Sequence, residues 1–577
     1  MVNIKENLEL NTLNHSCAHL MAQAIKHLYP HAKFWVGPVI EDGFYYDMDL
    51  GNDTITEADF EKIEKEMKHI SKDGKRIVRI ELSKQEALEM FKNDEYKLDL
   101  IENLPEDEII SAYKQGDYID LCRGPHVESV KEIKYFKLLK ASGAYYKGDV
   151  NNKMLQRVYG VCFYSQEDLD KQLFLIEEAK KRDHRKLGKE LELFMLSDYG
   201  PGLPFWLPDG FKLRRTLEDF WLDLHQKRGY LTIDTPIMLN RELWETSGHW
   251  DHYKEDMFVV EVEDGTYAIK PMNCPGAILA YKNALHSYKE LPLRYSELGH
   301  VHRYEASGAL SGLFRVRGFT QDDAHILLKE DQVASEIANI LSLYDEIYST
   351  FNLDYAIELS TRPEDNYIGD IEVWNNAEEA LKKACLATGH SFKINPGDGA
   401  FYGPKLDFKL KDSMGRIWQC GTVQLDMQLP GRFNCTYIAE DGSKKTPVMI
   451  HRACFGSLER FIGIIIENYA GIFPLWLAPK QVIVLPVNNQ YHLEYATKVN
   501  EILQASGIKS SLDDREEKLG YRIREANLHK VIYQVVVGDQ ERDNNQVKVR
   551  KCGSQEQQSY DLNEFIELLK KEIESKK

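Results

Sequence analysis

The stretch HVHRYEASGALSGLFRVRGFTQDDAH, His300–His325, carries an arginine and a carboxylate in H-R-x-E form (Arg303, Glu305), then a loop, then a second arginine in R-x-x-x-F form (Arg315, Phe319). Arginine forks bind phosphate bidentately, and a nearby carboxylate can accept from an amine or help hold Mg2+. Downstream, FGSLERFIG places Arg460 after a glycine and a glutamate at a predicted strand-to-helix turn; upstream, KRGYLTIDTPIM runs through Pro236. The same region holds Cys274 in KPMNCPG, His325 in TQDDAHI and His451 in VMIHRAC. One thiolate and two imidazoles suit Zn2+, and three protein ligands leave a fourth position open for a substrate. Spacing alone would equally fit three unrelated buried side chains; the flanking arginine motifs favour a zinc ion beside a nucleotide.

Working outward, the 577 residues exceed what one hydrophobic core organises and predict several domains. Hydrophobic residues at 43% and charged residues at 29% are ordinary for soluble globular chains. A formal net charge of −19 argues against a nonspecific polyanion binder, because such affinity comes largely from lysine and arginine displacing counterions. Local RNA contact stays open, and KKRDHRKLGK (180–189) reads either as a basic patch or as a solvated helix face. Nine cysteines without a regular framework fit a reducing compartment, and no run approaches a membrane span, so the expected location is cytoplasmic with no membrane partner.

Along the chain, residues 12–29 put Leu13, Leu20, Ala24, Ile25 and Leu28 on one helical stripe, with His15 and His19 one turn apart on a shared face. KFWVGPVIEDGFYYDMDL reads as two strands broken at Gly-Pro, and KQEALEMFK as a short helix, predicting an α+β domain over 1–165. A charged helical connector is expected over 166–193, and a large antiparallel sheet with helices over 194–478. QVIVLPV and VIYQVVVG are continuous apolar runs suited to buried strands, predicting a small α/β domain over 479–577. The fold class expected is therefore multidomain, α+β and α/β.

Together the three arginine and proline segments resemble motifs 1, 2 and 3 of class II aminoacyl-tRNA synthetases. Within that class, KPMNCPG, RVRGFTQDDAH, AFYGPKLDF, WQCGTVQLD and PVMIHRACFGSLERFIG are similar to threonyl-tRNA synthetases of bacterial type, over nearly the whole chain. The resemblance implies a class II catalytic domain, a C-terminal anticodon-binding domain, a homodimer formed through motif 1, and threonine activation by ATP with Mg2+. It assigns one Zn2+ per subunit to Cys274, His325 and His451. Met272, Asp323, Tyr402 and Gln424 match residues around L-threonine. Arg303, Glu305, Arg315, Gln419 and Arg460 match ATP contacts, with Lys405 nearby, and Arg303, Glu305, Arg315 and Arg460 carry the catalytic assignment. Attack of a carboxylate on the α-phosphate builds negative charge at phosphorus, so fixed arginines and Mg2+ suffice without a protein nucleophile. An apolar pocket separates threonine from isosteric valine poorly, whereas a metal can chelate amine and hydroxyl together. Serine chelates too and lacks only one methyl, worth about 10–200-fold, so a second hydrolytic site is needed.

HSCAHLMAQA and DLCRGPHV resemble the editing domain of that family. By spacing alone, His15, His19, Cys122 and His126 read equally well as a zinc site. The resemblance implies instead a metal-free pocket activating water against a seryl ester, with Asp120, Tyr45 and Lys97 as neighbours. Near the C-terminus, Glu541 and Arg550 match positions that read anticodon bases of tRNA(Thr), while Glu516 stands where some relatives have asparagine. Many bacterial members begin with a small ubiquitin-like domain; this sequence starts directly at the editing-like region. Two other readings are a noncatalytic paralogue that binds tRNA or a regulatory RNA, and a metal-dependent hydrolase centred on the N-terminal cluster. The retained arginines and zinc trio weigh against the first, and the second leaves most of the chain without a role.

Overall fold

Asn7 caps the helix Leu8–Leu28 by accepting from the Leu10 N–H, and Lys26 and His27 sit in its last turn, where cations suit the helix dipole. Of the expected stripe, Leu13, Leu20, Ala24 and Ile25 are fully buried and Leu28 is half-buried, and Cys17, Ala18, Met21 and Ala22 are buried as well. The small Cys17, Ala18 and Ala22 let the helix lie against the strands Gly43–Asp49 and Met154–Phe163 and the helix Phe60–Asp73. The computed structural model describes residues 2–105, 108–149, 151–263 and 265–576, in two units, Met1–Glu178 and Ala179–Lys577.

In the first unit the main sheet runs Lys33–Phe34, Gly43–Asp49, Met154–Phe163, Tyr135–Tyr145, all antiparallel, with Val39–Ile40 also paired to Gly43–Asp49. The segment around Gly37-Pro38 thus forms three short strands where two were expected. Its reversal falls at Glu41-Asp42, because Ile40 pairs with Gly43 and leaves a two-residue hairpin loop. A separate antiparallel sheet joins Ile77–Leu82, Ile110–Gln115 and Tyr118–Leu121.

The unit boundary lies within the expected connector, which forms two helices, Gln166–Arg182 and His184–Glu190. Asp183 interrupts the basic run by capping the second helix through the Arg185 N–H. His184, Leu187 and Gly188 are buried while Arg185, Lys186 and Lys189 stay exposed, so this half of the run is one packed helix side with its cations on a solvated face.

The second unit is organised on eight strands in the order Leu231–Thr232, Leu293–His302, Gly318–Leu328, Val448–Ala453, Ile417–Asp426, Lys405–Lys411, Asp354–Ser360, Phe392–Asn395. The interior pairings are antiparallel, as expected, and the two outermost pairings are parallel. The helices Val333–Thr350 and Leu458–Asn468 bury their apolar faces in the core of this sheet. A second sheet closes the chain: Val482–Pro486 lies between Ser510–Leu512 and Tyr533–Val537, all parallel, followed by antiparallel Gln546–Lys551 and Gln557–Asp561. Val482, Val484, Leu485, Val535 and Val537 are fully buried, which explains their unbroken apolar runs.

Candidate functional site

Strand alternation points Phe319, Gln321, Asp323 and His325 of Gly318–Leu328 into a single cavity of about 510 Å3. All thirteen residues that the sequence assigned to zinc, threonine or ATP line it: Cys274, His325 and His451; Met272, Asp323, Tyr402 and Gln424; Arg303, Glu305, Arg315, Lys405, Gln419 and Arg460. Gln419 and Gln424 are an odd number of residues apart on one strand and would face opposite sides. A bulge reconciles them, because Cys420 and Gly421 together oppose Phe408 between the pairs Gln419–Lys409 and Thr422–Asp407. Gly421 permits this; a Cβ there would lie 2.2 Å from the Tyr348 hydroxyl.

The sulfur and two imidazoles converge through register. His325 and His451 are direct cross-strand partners with ring centroids 5.0 Å apart, and Cys274 opens the helix Cys274–Lys282. All three are buried, and one ligand atom from each lies within 4.8 Å of the others. His451 places Nε2 2.9 Å from Oδ2 of Asp426, which leaves Nδ1 for a metal. Asp426 is itself held, since its Oδ1 accepts the N–H groups of Gln428 and Leu429 at 2.8 and 3.0 Å. Burial keeps His325 neutral, far below the usual imidazole range, and burial raises the Cys274 thiol. The donor set fits Zn2+, which binds a neutral imidazole oriented from its far nitrogen by a carboxylate and would draw the thiol to thiolate. Beside it, Asp323 accepts from Asn273 Nδ2 at 3.1 Å, and burial raises its carboxyl. The Tyr402 hydroxyl donates to Gln424 Oε1.

Around the other end of the cavity, each guanidinium is fastened to the protein while keeping further donors. Arg303 donates from Nε to the Pro271 carbonyl at 3.3 Å and lies over the Phe319 ring. Arg315 pairs with Glu305 at 2.9 Å, and Arg460 donates to the carbonyls of Phe314 and Gln419 at 3.2 and 3.0 Å. Lys405 bridges to Asp407 at 2.9 Å. Such an array, fixed before any ligand arrives, can bind a polyphosphate and stabilise charge growing on phosphorus.

Sequence reasoning missed several supports. Asp426 and Asn273 are two. His249 is fully buried, with Nε2 3.0 Å from the Met272 sulfur. Asp322, adjacent to Asp323 and turned to the opposite face, accepts the N–H groups of Cys454, Phe455 and Gly456 and the Trp221 indole, so it shapes the turn that precedes Arg460. Alternation along a recognised strand was the signal that could have separated the two aspartates.

In the first unit, His15 and His19 from the helix Leu8–Leu28 meet Cys122 and His126 from the loop after Tyr118–Leu121. Cys122 Sγ lies 3.2 Å from His15 Nε2 and 3.3 Å from His126 Nε2. His126 Nδ1 is 3.0 Å from Ser16 Oγ. Burial lowers the affinity of all three imidazoles for protons, and it pushes the Cys122 thiol up to about 12. Asp120 lies 3.8 Å from His19 Nε2 and forms a buried pair with Lys97 at 2.6 Å. Tyr46 and Tyr118 donate their hydroxyls to the same carboxylate. The expected tyrosine is corrected: Tyr45 points to the other face, against Tyr159 and Arg157, because neighbours on a strand alternate, and Tyr46 takes its place. Neutral imidazoles beside a buried carboxylate can accept from a water molecule and orient it.

Glu541 lies on the helix Asp539–Asn544 and closes that helix's start by accepting the Gly538 N–H at 2.9 Å. Arg550 lies on the strand Gln546–Lys551, opposite Gln534.

Residues 258–469 match the class II tRNA synthetase core domain (G, H, P, S and T), 481–572 an anticodon binding domain, and 110–159 the threonyl and alanyl tRNA synthetase second additional domain. A threonine–tRNA ligase of Clostridioides difficile (strain 630) is 56% identical, over 99% of this chain and 89% of its own length. One from Clostridium tetani (strain Massachusetts / E88) is 52% identical, over 100% and 92%. The crystal structure titled as the RNA binding domain of threonyl-tRNA synthetase from Cryptosporidium parvum Iowa II is similar with a TM-score of 0.66 and 41% identity, covering 67% of this chain and 98% of that one. A putative threonyl-tRNA synthetase of Aeropyrum pernix gives a TM-score of 0.60 at 29% identity, covering 69% and 96%. The thiolate-imidazole trio, the arginine array and the His/Cys pocket therefore sit in a chain that belongs to the threonine–tRNA ligase family of class II aminoacyl-tRNA synthetases.

Proposed function

We propose that this chain activates L-threonine with ATP, transfers it to tRNA(Thr), and hydrolyses mischarged seryl-tRNA(Thr) in its N-terminal unit. The observation that carries the first part is the single cavity in which a Cys/His/His donor set adjoins three anchored arginines. Cys274, His325 and His451 would hold Zn2+, which would supply Lewis-acid coordination for the amine and the side-chain hydroxyl together, a pair of donors that valine, having no hydroxyl, cannot offer. Asp323 accepts a hydrogen bond from the amino group, and Met272, Tyr402 and Gln424 enclose the side chain. Arg303, Arg315 and Arg460, with Glu305, Gln419 and Lys405, orient ATP with its Mg2+ so that the threonine carboxylate faces the α-phosphate. The chemistry then needs positioning and charge stabilisation alone.

For the N-terminal unit, the reading is a metal-free hydrolytic pocket. It is supported by Cys122 engaging His15 and His126 directly. His19, with Asp120, Lys97 and Tyr46, completes the water-activating group. Domains of 1–165, 166–193, 194–478 and 479–577 follow, with Glu541 and Arg550 facing the anticodon. Exposed Leu231, Ile237 and Met238 in the motif 1 segment support a homodimer formed there. Nine free cysteines, and no helix among the described residues able to cross a membrane, support a cytoplasmic location.

The deciding experiment is amino-acid-dependent ATP–pyrophosphate exchange with threonine, serine and valine, followed by deacylation of seryl-tRNA(Thr). Strong exchange with threonine, weaker with serine and none with valine is expected. Absence of threonine-dependent exchange in zinc-loaded protein would refute the proposal.

A further inference from the structure

The imidazole of His184 is 2% exposed and stands between two elements of the nucleotide site. Its Nδ1 lies 2.7 Å from Glu467 Oε1, and the same oxygen accepts the His184 main-chain N–H at 2.9 Å. A carboxylate oxygen only accepts, so the ring proton sits on Nδ1 and Nε2 is left with its lone pair. That lone pair accepts the Leu313 N–H at 2.9 Å. Leu313 is fully buried within the tight turn Ser311–Arg315, which is closed by the Phe314 N–H on the Ser311 carbonyl at 2.8 Å and the Ser311 N–H on the Arg315 carbonyl at 3.1 Å.

The ring also packs on Phe314, with centroids 4.0 Å apart, and the Phe314 carbonyl receives Arg460 Nε at 3.2 Å. Gly312 lets the turn approach: its φ is +50°, and a Cβ there would fall 2.1 Å from His184 Nε2. Glu467, the other partner, lies on Leu458–Asn468, the helix that carries Arg460. A metal held by Asp183, His184 and Glu467 does not fit, because both ring nitrogens are spent and Arg185 occupies the Asp183 carboxylate.

We propose that His184 is a positioning residue for ATP: a neutral imidazole strut that fixes the turn bearing Arg315 against the helix bearing Arg460, so both guanidinium groups are set before the nucleotide binds. This rests on the assignment of those two arginines to ATP. His184 does not line the cavity, and none of its hydrogen bonds goes to Met272, Asp323, Tyr402 or Gln424. Loss of the strut therefore falls on the nucleotide and spares the amino acid.

The test is steady-state pyrophosphate exchange with the full-length, zinc-loaded protein. His184→Ala should raise the KM for ATP about tenfold, as expected for one lost buried acceptor, and change the KM for threonine less than about twofold. His184→Asn, which keeps only the donor to Glu467, should behave like His184→Ala. His184→Gln, whose side-chain oxygen reaches the Nε2 position, should recover most of the ATP affinity. Gly312→Ala pushes the turn off the strut from its other side and should reproduce the ATP effect with His184 present, so the question survives even if His184→Ala folds poorly. Two results overturn the proposal: an ATP KM within about twofold of wild type in both His184→Ala and Gly312→Ala, or equal rises in the two KM values with no recovery in His184→Gln. Wild-type protein inactive with threonine would instead refute the functional reading beneath it.

Discussion

Replacing Asp426 by asparagine tests the zinc assignment without touching a ligand. Asp426 is fully buried; its Oδ2 faces His451 Nε2 at 2.9 Å while Oδ1 takes two backbone N–H groups at 2.8 and 3.0 Å. Asparagine matches the shape and fails in either orientation. With its oxygen on the backbone, its amide donates toward His451, which must move its proton to Nδ1 and thereby lose the lone pair a metal needs. With its oxygen on His451, the amide meets two N–H donors in a dry site. Partners of this kind are worth about 10–100-fold in metal affinity, or about 1.4–2.8 kcal/mol. Zinc dissociation measured by competition with a chromogenic chelator should accelerate or tighten toward the chelator by that factor. Threonine-dependent exchange should fall unless zinc is added in excess, while the unfolding transition of the zinc-loaded protein stays cooperative. Cys274→Ser should lose zinc altogether. An Asp426→Asn protein that holds zinc as tightly as wild type would refute the argument that His451 binds through Nδ1.

Three further outcomes are expected. Arg303→Ala should depress exchange by at least about a hundredfold with zinc content unchanged, because its charge matters most when the α-phosphate is attacked; near-wild-type exchange would remove it from the catalytic group. His15→Ala or His19→Ala should leave threonylation nearly intact yet slow deacylation of seryl-tRNA(Thr), and unimpaired hydrolysis in the double variant would rule out the editing pocket. Finally, burial pushes Glu459 up to about 7, against which the Thr320 N–H and Arg214 act only in part. The folded state thus holds a proton that the unfolded chain, with a carboxyl near about 4.3, releases earlier. Stability from this group is full below the unfolded value and is lost as pH rises toward 7, so Glu459→Gln should gain on wild type in thermal unfolding across that window; a constant difference across it would contradict the assignment.

Which chemistries the chain contains was legible from residue types in short windows. Cys274, His325 and His451, the arginines flanking residues 303–315, and the pair His15 and His19 one turn apart announce themselves through local composition and spacing. So did the buried strands Val482–Pro486 and Tyr533–Val537, whose apolar runs need no partner to be recognised. What tertiary structure alone decided is which of two neighbours faces a site and what holds it there. Tyr46 enters the N-terminal pocket where Tyr45 was expected, and Asp322 finds its donors in the distant turn before Arg460. Gln419 joins Gln424 only because a bulge shifts the alternation by one residue. His184, read as one member of a basic run, is buried between Glu467 and Leu313, far from it in sequence. The reason is common to all four. Helix and strand periods arise from local backbone sterics, whereas register, bulges and the far nitrogen's partner depend on which segments pair, whether neighbours along the chain or distant in it, and that pairing is set by packing of the whole unit.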